Sequence, residues 1–145
     1  MSLFILHVLE SMNPDAGSVA VCLGGLHDAL ASRGLQSKAV ASLADVTHAL
    51  HGVDIVHIHG WGYELAHRIA ACALKAGKPY VISPHGSLTF GPHNRPTWKN
   101  RLRFVWRCRR LVREAACVIA INPQEEHDLK SRRIHPRICV LPYGL

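Results

Sequence analysis

The sequence lacks the features of secreted, membrane-spanning and disulfide-rich proteins. No apolar run approaches the ~20 residues of a membrane helix, and no basic leader precedes the first apolar segment, residues 3–9, so no signal peptide is expected. The five cysteines are odd in number, include no C-x-x-C pair and stand in apolar stretches, which predicts reduced, buried thiols. We therefore expect a cytoplasmic protein.

The sequence also lacks the short motifs of several enzyme classes. It contains no G-x-S-x-G nucleophile elbow, no G-x-x-x-x-G-K-[ST] phosphate loop and no G-x-G-x-x-G dinucleotide pattern. These absences weigh against a hydrolase, a kinase and a nucleotide-binding regulatory domain of Rossmann type.

Acidic residues are scarce in one part of the chain. Lys and Arg number 17 against 10 Asp and Glu, a formal charge of +7. Seven positive charges fall between Lys99 and Arg113 with no acidic residue among them, so the rest of the chain is neutral overall. No recognised nucleic-acid-binding module accompanies this charge, and we expect no nucleic-acid partner.

The residues that are present fit one globular α/β domain. The chain has 145 residues, 48% apolar and 19% charged, and short β-rich runs alternate with helical patterns. We predict a single doubly wound, Rossmann-like parallel sheet with helices on both faces. The predicted strands are residues 3–9, 36–41, 54–59, 79–83, 117–121 and 137–141, and the predicted helices are residues 18–32, 43–50, 62–76, 97–115 and 123–132.

Histidines end the third predicted strand, in the segment Asp54–Gly60. His57 and His59 alternate along the strand and share a face, which could suit a metal together with His85. No carboxylate cluster flanks them, so no metal site is expected, and hydrogen-bonded structural histidines are the plain alternative. His59, next to Gly60 and Trp61, is the better candidate for ligand contact.

His85 lies beyond the fourth strand, in Ser83-Pro84-His85-Gly86-Ser87. Open α/β sheets bind ligands at this carboxyl edge, so an imidazole here can hydrogen-bond a sugar hydroxyl or assist a proton transfer. A loop histidine bonded to a neighbouring carbonyl is the alternative. We predict that Gly86 and Ser87 contribute to the same site.

Gly17 and Ser18 follow the first strand and open the first helix. A glycine there lets the backbone approach a ligand while helix amides face an anion. A simple turn glycine explains the pattern equally well.

The basic segment, residues 97–115, is predicted to form an amphipathic helix. Apolar residues gather on one side and most of the basic residues on the other. The candidate face for a membrane surface or an anionic partner comprises Lys99, Arg103, Trp106, Arg107 and Arg110. A solvated helix face is the alternative.

In the order and spacing of several segments, the chain resembles the N-terminal domain of family 4 retaining glycosyltransferases. The resemblance runs end to end. Its segments are Pro14–Ser18, Ala29–Gly34, Asp54–Gly60, Lys78–Gly86, Ala120–Glu126 and Val140–Leu145.

The resemblance implies one half of a two-domain GT-B enzyme. In such enzymes the N-terminal domain binds the acceptor, the C-terminal domain binds the sugar nucleotide, and no metal or further cofactor is usual. Gly17 would lie near the donor phosphates and the incoming acceptor, and His85 would contact the transferred sugar as the catalytic residue. The acceptor would be a glycan or a lipid-linked sugar, and a lipid-linked acceptor would be met at the inner face of the membrane.

The sequence departs from the family pattern at three places. Only one glycine stands in Ala16-Gly17-Ser18, Tyr143 replaces the usual Asn of the closing motif, and no donor domain with its E-x7-E pattern follows Leu145. We therefore expect an acceptor-side half, inactive alone, whose open edge at Gly17, Gly60–Tyr63 and His85 meets a donor-domain chain or a second copy. A non-catalytic module that binds a glycan, a lipid headgroup or a protein is the alternative.

Overall fold

The computed structural model describes residues 3–13, 18–60, 64–86 and 108–142. Strands and helices alternate there as predicted, with bounds close to the expected ones. The strands are β1 (Phe4–Val8), β2 (Gln36–Val40), β3 (Ile55–His59), β4 (Tyr80–Ser83), β5 (Cys117–Ala120) and β6 (Ile138–Val140). The helices are α1 (Ser18–Ala31), α2 (Leu43–Ala49), α3 (Glu64–Lys75), α4 (described over residues 108–113) and α5 (Pro123–Ser131).

All six strands form one parallel sheet in the order β2-β1-β3-β4-β5-β6. This confirms the predicted doubly wound α/β fold. The chain passes from β1 outward to β2 and then returns to the other side of β1, so the strand order reverses between β1 and β3. Open α/β sheets bind ligands outside the carboxyl ends of their strands at such a reversal.

One face of the sheet is fully covered. Val56, Ile58, Ile82, Val118 and Ala120 are each completely buried, and they pack in one core with residues of helices α2, α3, α4 and α5. Burying one such aliphatic side chain contributes about 1.5–3 kcal/mol. We call this side the covered face.

The opposite side, which we call the histidine face, carries the alternate residues of the same strands. His7 pairs in register with His57, and His57 with Val81, so their side chains point to the same side. Helix α1 lies on this side, since Val21, Cys22 and Leu26 line a cavity together with His57 and His59. The described residues thus place helices on both faces of the sheet.

The prediction of buried cysteines is largely wrong. None of the five cysteines, all of which lie in the described residues, forms a disulfide. Only Cys108 is buried; Cys22, Cys72 and Cys117 are partly exposed, and Cys139 is exposed. Cys117 and Cys139 stand on the histidine face of β5 and β6, the outer strands, where α1 does not shield them fully.

The described part of α4 has the amphipathic pattern that the sequence predicts. Cys108, Leu111 and Val112 are buried, whereas Arg109 and Arg113 are exposed. The helix ends at residue 113, two residues before the predicted end. The hydroxyl of Tyr80 donates to the Leu111 carbonyl at 2.6 Å, which ties α4 to the covered face.

Candidate functional site

Four histidines meet at the carboxyl edge of β1, β3 and β4. The Nδ1 atom of His7 lies 3.0 Å from Nε2 of His59, and Nδ1 of His59 lies 2.9 Å from Nε2 of His85. The ring centroids of His57 and His59 are 4.0 Å apart. We call His7, His57, His59 and His85 the histidine cluster; it lies where the strand order reverses.

Burial keeps the cluster neutral. It lowers the pKa of His7 to about 4 with a smaller contribution from His27, and it lowers the pKa of His85 to about 4. Burial together with His7 and His85 lowers the pKa of His57 to about 3. The pKa of His59 is lowered well below its usual value by burial and by its three histidine neighbours. Near neutral pH each ring therefore carries one proton, which can serve one hydrogen bond as donor while the other nitrogen accepts.

Two hydrogen bonds to Ser83 hold the ends of β3 and β4 together. Ser83 Oγ lies 2.7 Å from Nε2 of His57, and the Gly60 amide donates to the Ser83 carbonyl at 2.8 Å. Both strands therefore end at the same level, which places His59 and His85 side by side with ring planes only 6° apart.

The backbone turns sharply at His85. Its φ is 54°, in the left-handed region that residues other than Gly adopt uncommonly, with Asn, Asp and His the most frequent among them, and Gly86 follows with φ 74°. Such strained conformations persist where the surroundings hold them and concentrate at functional sites. The turn leaves His85 partly exposed beyond the sheet.

Glu125 holds this turn in place from another part of the fold. Its carboxylate is fully buried and accepts the Gly86 amide at 2.7 Å and the Ile121 amide at 2.9 Å. One side chain therefore ties the loop after β4 to the loop after β5. Hydrogen bonds to a carboxylate acceptor are stronger than those between neutral groups.

The segment Asn122-Pro123-Gln124-Glu125 has the sequence pattern of a capping box, and the start of α5 shows half of it. Asn122 is the N-cap, its side chain accepts the Glu125 amide at 2.8 Å, and Pro123 stands at the first helical position. The reciprocal half differs, because the Glu125 carboxylate binds the amides of Ile121 and Gly86 rather than reaching back to Asn122.

A cavity of about 550 Å³ opens beside the cluster. Its walls are mostly apolar and come from α1 and from the ends of β5 and β6, with polar groups at one end only. The lining residues that matter here are Val21, Leu26, Ile119, Leu141, His57 and His59. The shape suits a ligand with an apolar portion and a polar group that meets the histidines.

The structure brings together His59, Gly60, His85 and Gly86 among the residues proposed from sequence. Ser18 opens α1. Gly17, Trp61, Ser87, Lys99, Arg103, Trp106 and Arg107 lie outside the described residues. Arg110 is exposed, as expected for the basic face, and forms an ion pair with Glu114 at 3.0 Å.

Sequence reasoning missed three members of the site: His7, Ser83 and Glu125. His7 stands alone in an apolar strand, and only the pairing of β1 with β3 brings it to His57. A polar residue inside an otherwise apolar strand was the available signal. Among the described residues, no helix is long and apolar enough to cross a membrane.

Comparison with known proteins gives a family match and two structural likenesses. A family model described as a glycosyl transferase 4-like domain matches residues 11–144. No curated protein matches the chain significantly.

Two solved structures share the fold. The Anabaena protein Alr3699/HepE, solved in complex with UDP and glucose, superposes with a TM-score of 0.64 at 18% identity over 99% of this chain and 45% of its own. A hydroxyethylthiazole kinase from Pyrococcus horikoshii OT3 superposes with a TM-score of 0.57 at 16% identity over 88% of this chain and 45% of its own. This chain therefore spans less than half the length of either protein.

Proposed function

Because this chain belongs to the glycosyl transferase 4-like domain family, we propose that it is the acceptor-side half of a sugar-nucleotide-dependent glycosyltransferase. It would transfer a glycosyl group to a glycan or a lipid-linked acceptor. The Anabaena neighbour was solved with UDP and glucose, which supports a nucleotide sugar as co-substrate. The donor-binding half of this GT-B arrangement would face the carboxyl edge of the sheet.

The observation that carries the proposal is the position of His85. It stands at the carboxyl edge, in a left-handed turn held by the buried Glu125 carboxylate, and contacts His59 at 2.9 Å. A side chain fixed in this way is preorganised to meet a sugar in a cleft, and preorganised hydrogen bonds are what stabilise a transition state effectively.

The proposed role of His85 is hydrogen bonding rather than proton abstraction. With its pKa lowered to about 4, the neutral imidazole is a weak base near pH 7. In one arrangement His59 donates Nδ1–H to Nε2 of His85. The proton of His85 is then on Nδ1, which we propose as the donor to a sugar oxygen. His59 would thereby set which nitrogen of His85 carries the proton.

The cavity beside the cluster is the proposed acceptor site. Its apolar walls, with Val21, Leu26 and Leu141 among them, fit the non-sugar part of an acceptor, while the histidines take its hydroxyl group. Gly17, Ser18, Gly60, Trp61 and Ser87 remain proposed contacts around this cleft.

A peripheral location at the cytoplasmic side of a membrane is part of the proposal. Arg110 contributes an exposed cation, and Lys99, Arg103, Trp106 and Arg107 would extend this face toward anionic headgroups. A lipid-linked acceptor would be met there.

The test is a transfer assay with this chain alone and with a donor-binding domain supplied as a second chain. A panel of nucleotide sugars and of oligosaccharide and polyprenyl-linked acceptors is screened by mass spectrometry. We expect product only from the pair, and a loss on the order of 100-fold with His85→Gln, the size seen when one transition-state hydrogen bond is removed. His127→Gln, a change at an exposed histidine of α5, is the matched control.

A binding module without catalysis is the second candidate, and the neutral state of all four histidines favours it. Neutral imidazoles bind hydroxyl groups well without moving a proton. Acceptor binding by this chain without product from any pairing would support the module and contradict the transferase.

A further inference from the structure

Three of the four clustered histidines have the arrangement of a metal site. His7, His57 and His59 each offer a ring nitrogen, and these nitrogens all lie within 4.8 Å of one another. We propose that His7, His57 and His59 bind one divalent transition-metal ion of the zinc type. This proposal concerns ion binding and does not depend on transferase activity, for which no metal is expected.

The distance between His7 and His59 fits an ion with imidazole ligands. Zinc–nitrogen bonds are about 2.0–2.1 Å, so two nitrogens 3.0 Å apart, as in the His7–His59 pair, subtend roughly 95° at the ion. A regular tetrahedral site needs about 109°. Moving the two rings apart by a few tenths of an ångström would provide this angle.

Two of the three remaining nitrogens, those of His57 and His59, already have the hydrogen bonds that support metal ligands. With Nε2 of His59 on the ion, its Nδ1–H donates to Nε2 of His85, which lies at 2.9 Å. With Nδ1 of His57 on the ion, its Nε2–H donates to Ser83 Oγ at 2.7 Å. Metal-binding histidines commonly donate their second N–H in this manner, which fixes the ring and its tautomer.

His7 supplies an independent observation. It is 96% buried, and its Nε2 is the one buried side-chain polar atom among the described residues that has no hydrogen-bond partner. An unpaired buried polar group costs about 1–3 kcal/mol. The ring is therefore held in the cluster without a complete hydrogen-bond network. An ion on Nδ1, the nitrogen beside His59, would add a strong bond at this ring, although Nε2 would keep no partner among the described residues.

The donor set selects the class of ion. Three neutral imidazoles without a carboxylate suit Zn²⁺, Co²⁺, Ni²⁺ or Cu²⁺ and do not suit Mg²⁺ or Ca²⁺, which prefer oxygen ligands. His57 and His59 also line the cavity, so a water molecule or a ligand could complete the coordination.

The test is titration of the complete, EDTA-treated chain with Zn²⁺ by calorimetry and with Co²⁺ by visible absorption. We expect one equivalent to bind, with a d–d spectrum of a four-coordinate Co²⁺ ion. His57→Gln and His59→Gln should each weaken binding by on the order of 100-fold or more. His85→Gln, which removes only a supporting hydrogen bond, should weaken it by about 10-fold, and His127→Gln should leave it unchanged.

A second measurement keeps the test decisive where a variant fails to fold. In the wild-type chain with ¹⁵N-labelled histidine, Zn²⁺ should shift the ring nitrogens of His7, His57 and His59 and leave those of the exposed His51 and His127 in place. Failure of the wild-type chain to bind either ion would overturn the proposal. Equal affinity in the His59→Gln and His127→Gln proteins, or shifts at surface histidines only, would do the same.

Discussion

Replacing Glu125 should loosen the turn that carries His85. The carboxylate is fully buried and accepts two backbone amides, at 2.7 and 2.9 Å. Glu125→Ala leaves both amides without this acceptor, and since both lie in partly buried loops we assign about 1–1.5 kcal/mol to each. The free energy of unfolding should fall by about 2–3 kcal/mol, or by roughly 4–12 °C in melting temperature for a chain of this size.

Glu125→Gln changes the hydrogen bonds but keeps nearly the same side-chain volume, so it measures the contribution of the hydrogen bonds to stability. The amide oxygen of Gln can still accept one of the two backbone N–H groups, but its NH₂ group then faces the other. The free energy of unfolding should therefore fall by about 1–2 kcal/mol, which is about half of the loss expected for Glu125→Ala. Urea unfolding followed by circular dichroism gives the free energies. The amide resonance of Gly86 should move upfield in Glu125→Ala as its hydrogen bond is lost.

The neighbouring residue is the matched control. Glu126 pairs with Lys130 one turn along the same helix at 2.6 Å, and exposed pairs of this kind contribute about 0.3–0.5 kcal/mol. Glu126→Gln should therefore change stability by no more than that. If Glu125→Gln and Glu126→Gln unfold at the same urea concentration, the anchoring role assigned to Glu125 is refuted.

Three further outcomes are expected. In EDTA, the free energy of unfolding should fall as the pH drops from 6.5 toward 4, because the histidines bind protons in the unfolded chain but stay neutral when buried in the folded chain. His7, with its pKa lowered from 6.5 to about 4, contributes about 3 kcal/mol to this loss. Urea midpoints that do not change between pH 7 and 4.5 would contradict the prediction. Asn122→Ala should cost about 1 kcal/mol through the lost N-cap of α5, measured against Gln124→Ala, which should cost far less. Arg103→Glu with Arg107→Glu should abolish sedimentation with anionic vesicles but leave the melting temperature within a few degrees; unchanged sedimentation would remove the membrane face from the proposal.

Most of the fold could be predicted from the sequence because each strand and helix has its own recognisable pattern of apolar and polar residues. Val56, Ile58 and Ile82 lie in short β-branched runs between turn residues, and such runs read as buried parallel strands without any knowledge of their neighbours. Asn122 and Pro123 likewise mark the start of α5 by local chemistry alone.

The site was less predictable because its contacts join distant parts of the chain. His7 and His57 are fifty residues apart and meet only since β1 and β3 pair in register. Glu125 and Gly86 are separated by 39 residues, whereas the capping-box pattern predicts a contact within one helical turn. Sequence spacing describes local contacts and contains no direct record of which strands become neighbours.

The error about the cysteines has the same origin. Cys139 stands in an apolar run, Ile138–Val140, which predicts burial, yet it lies on the histidine face of the edge strand β6 and is exposed. A strand's own sequence does not say whether a helix covers both of its faces.

The proposal that this chain binds the acceptor and that another domain binds the nucleotide sugar is tested most directly by calorimetry on this chain alone. Titration with UDP, GDP and their sugars should give dissociation constants weaker than about 1 mM, while at least one glycan or lipid-linked acceptor should bind the wild-type chain and bind the His85→Ala protein distinctly more weakly. Micromolar binding of a nucleotide sugar, with no acceptor bound, would contradict the assignment of these residues to the acceptor side.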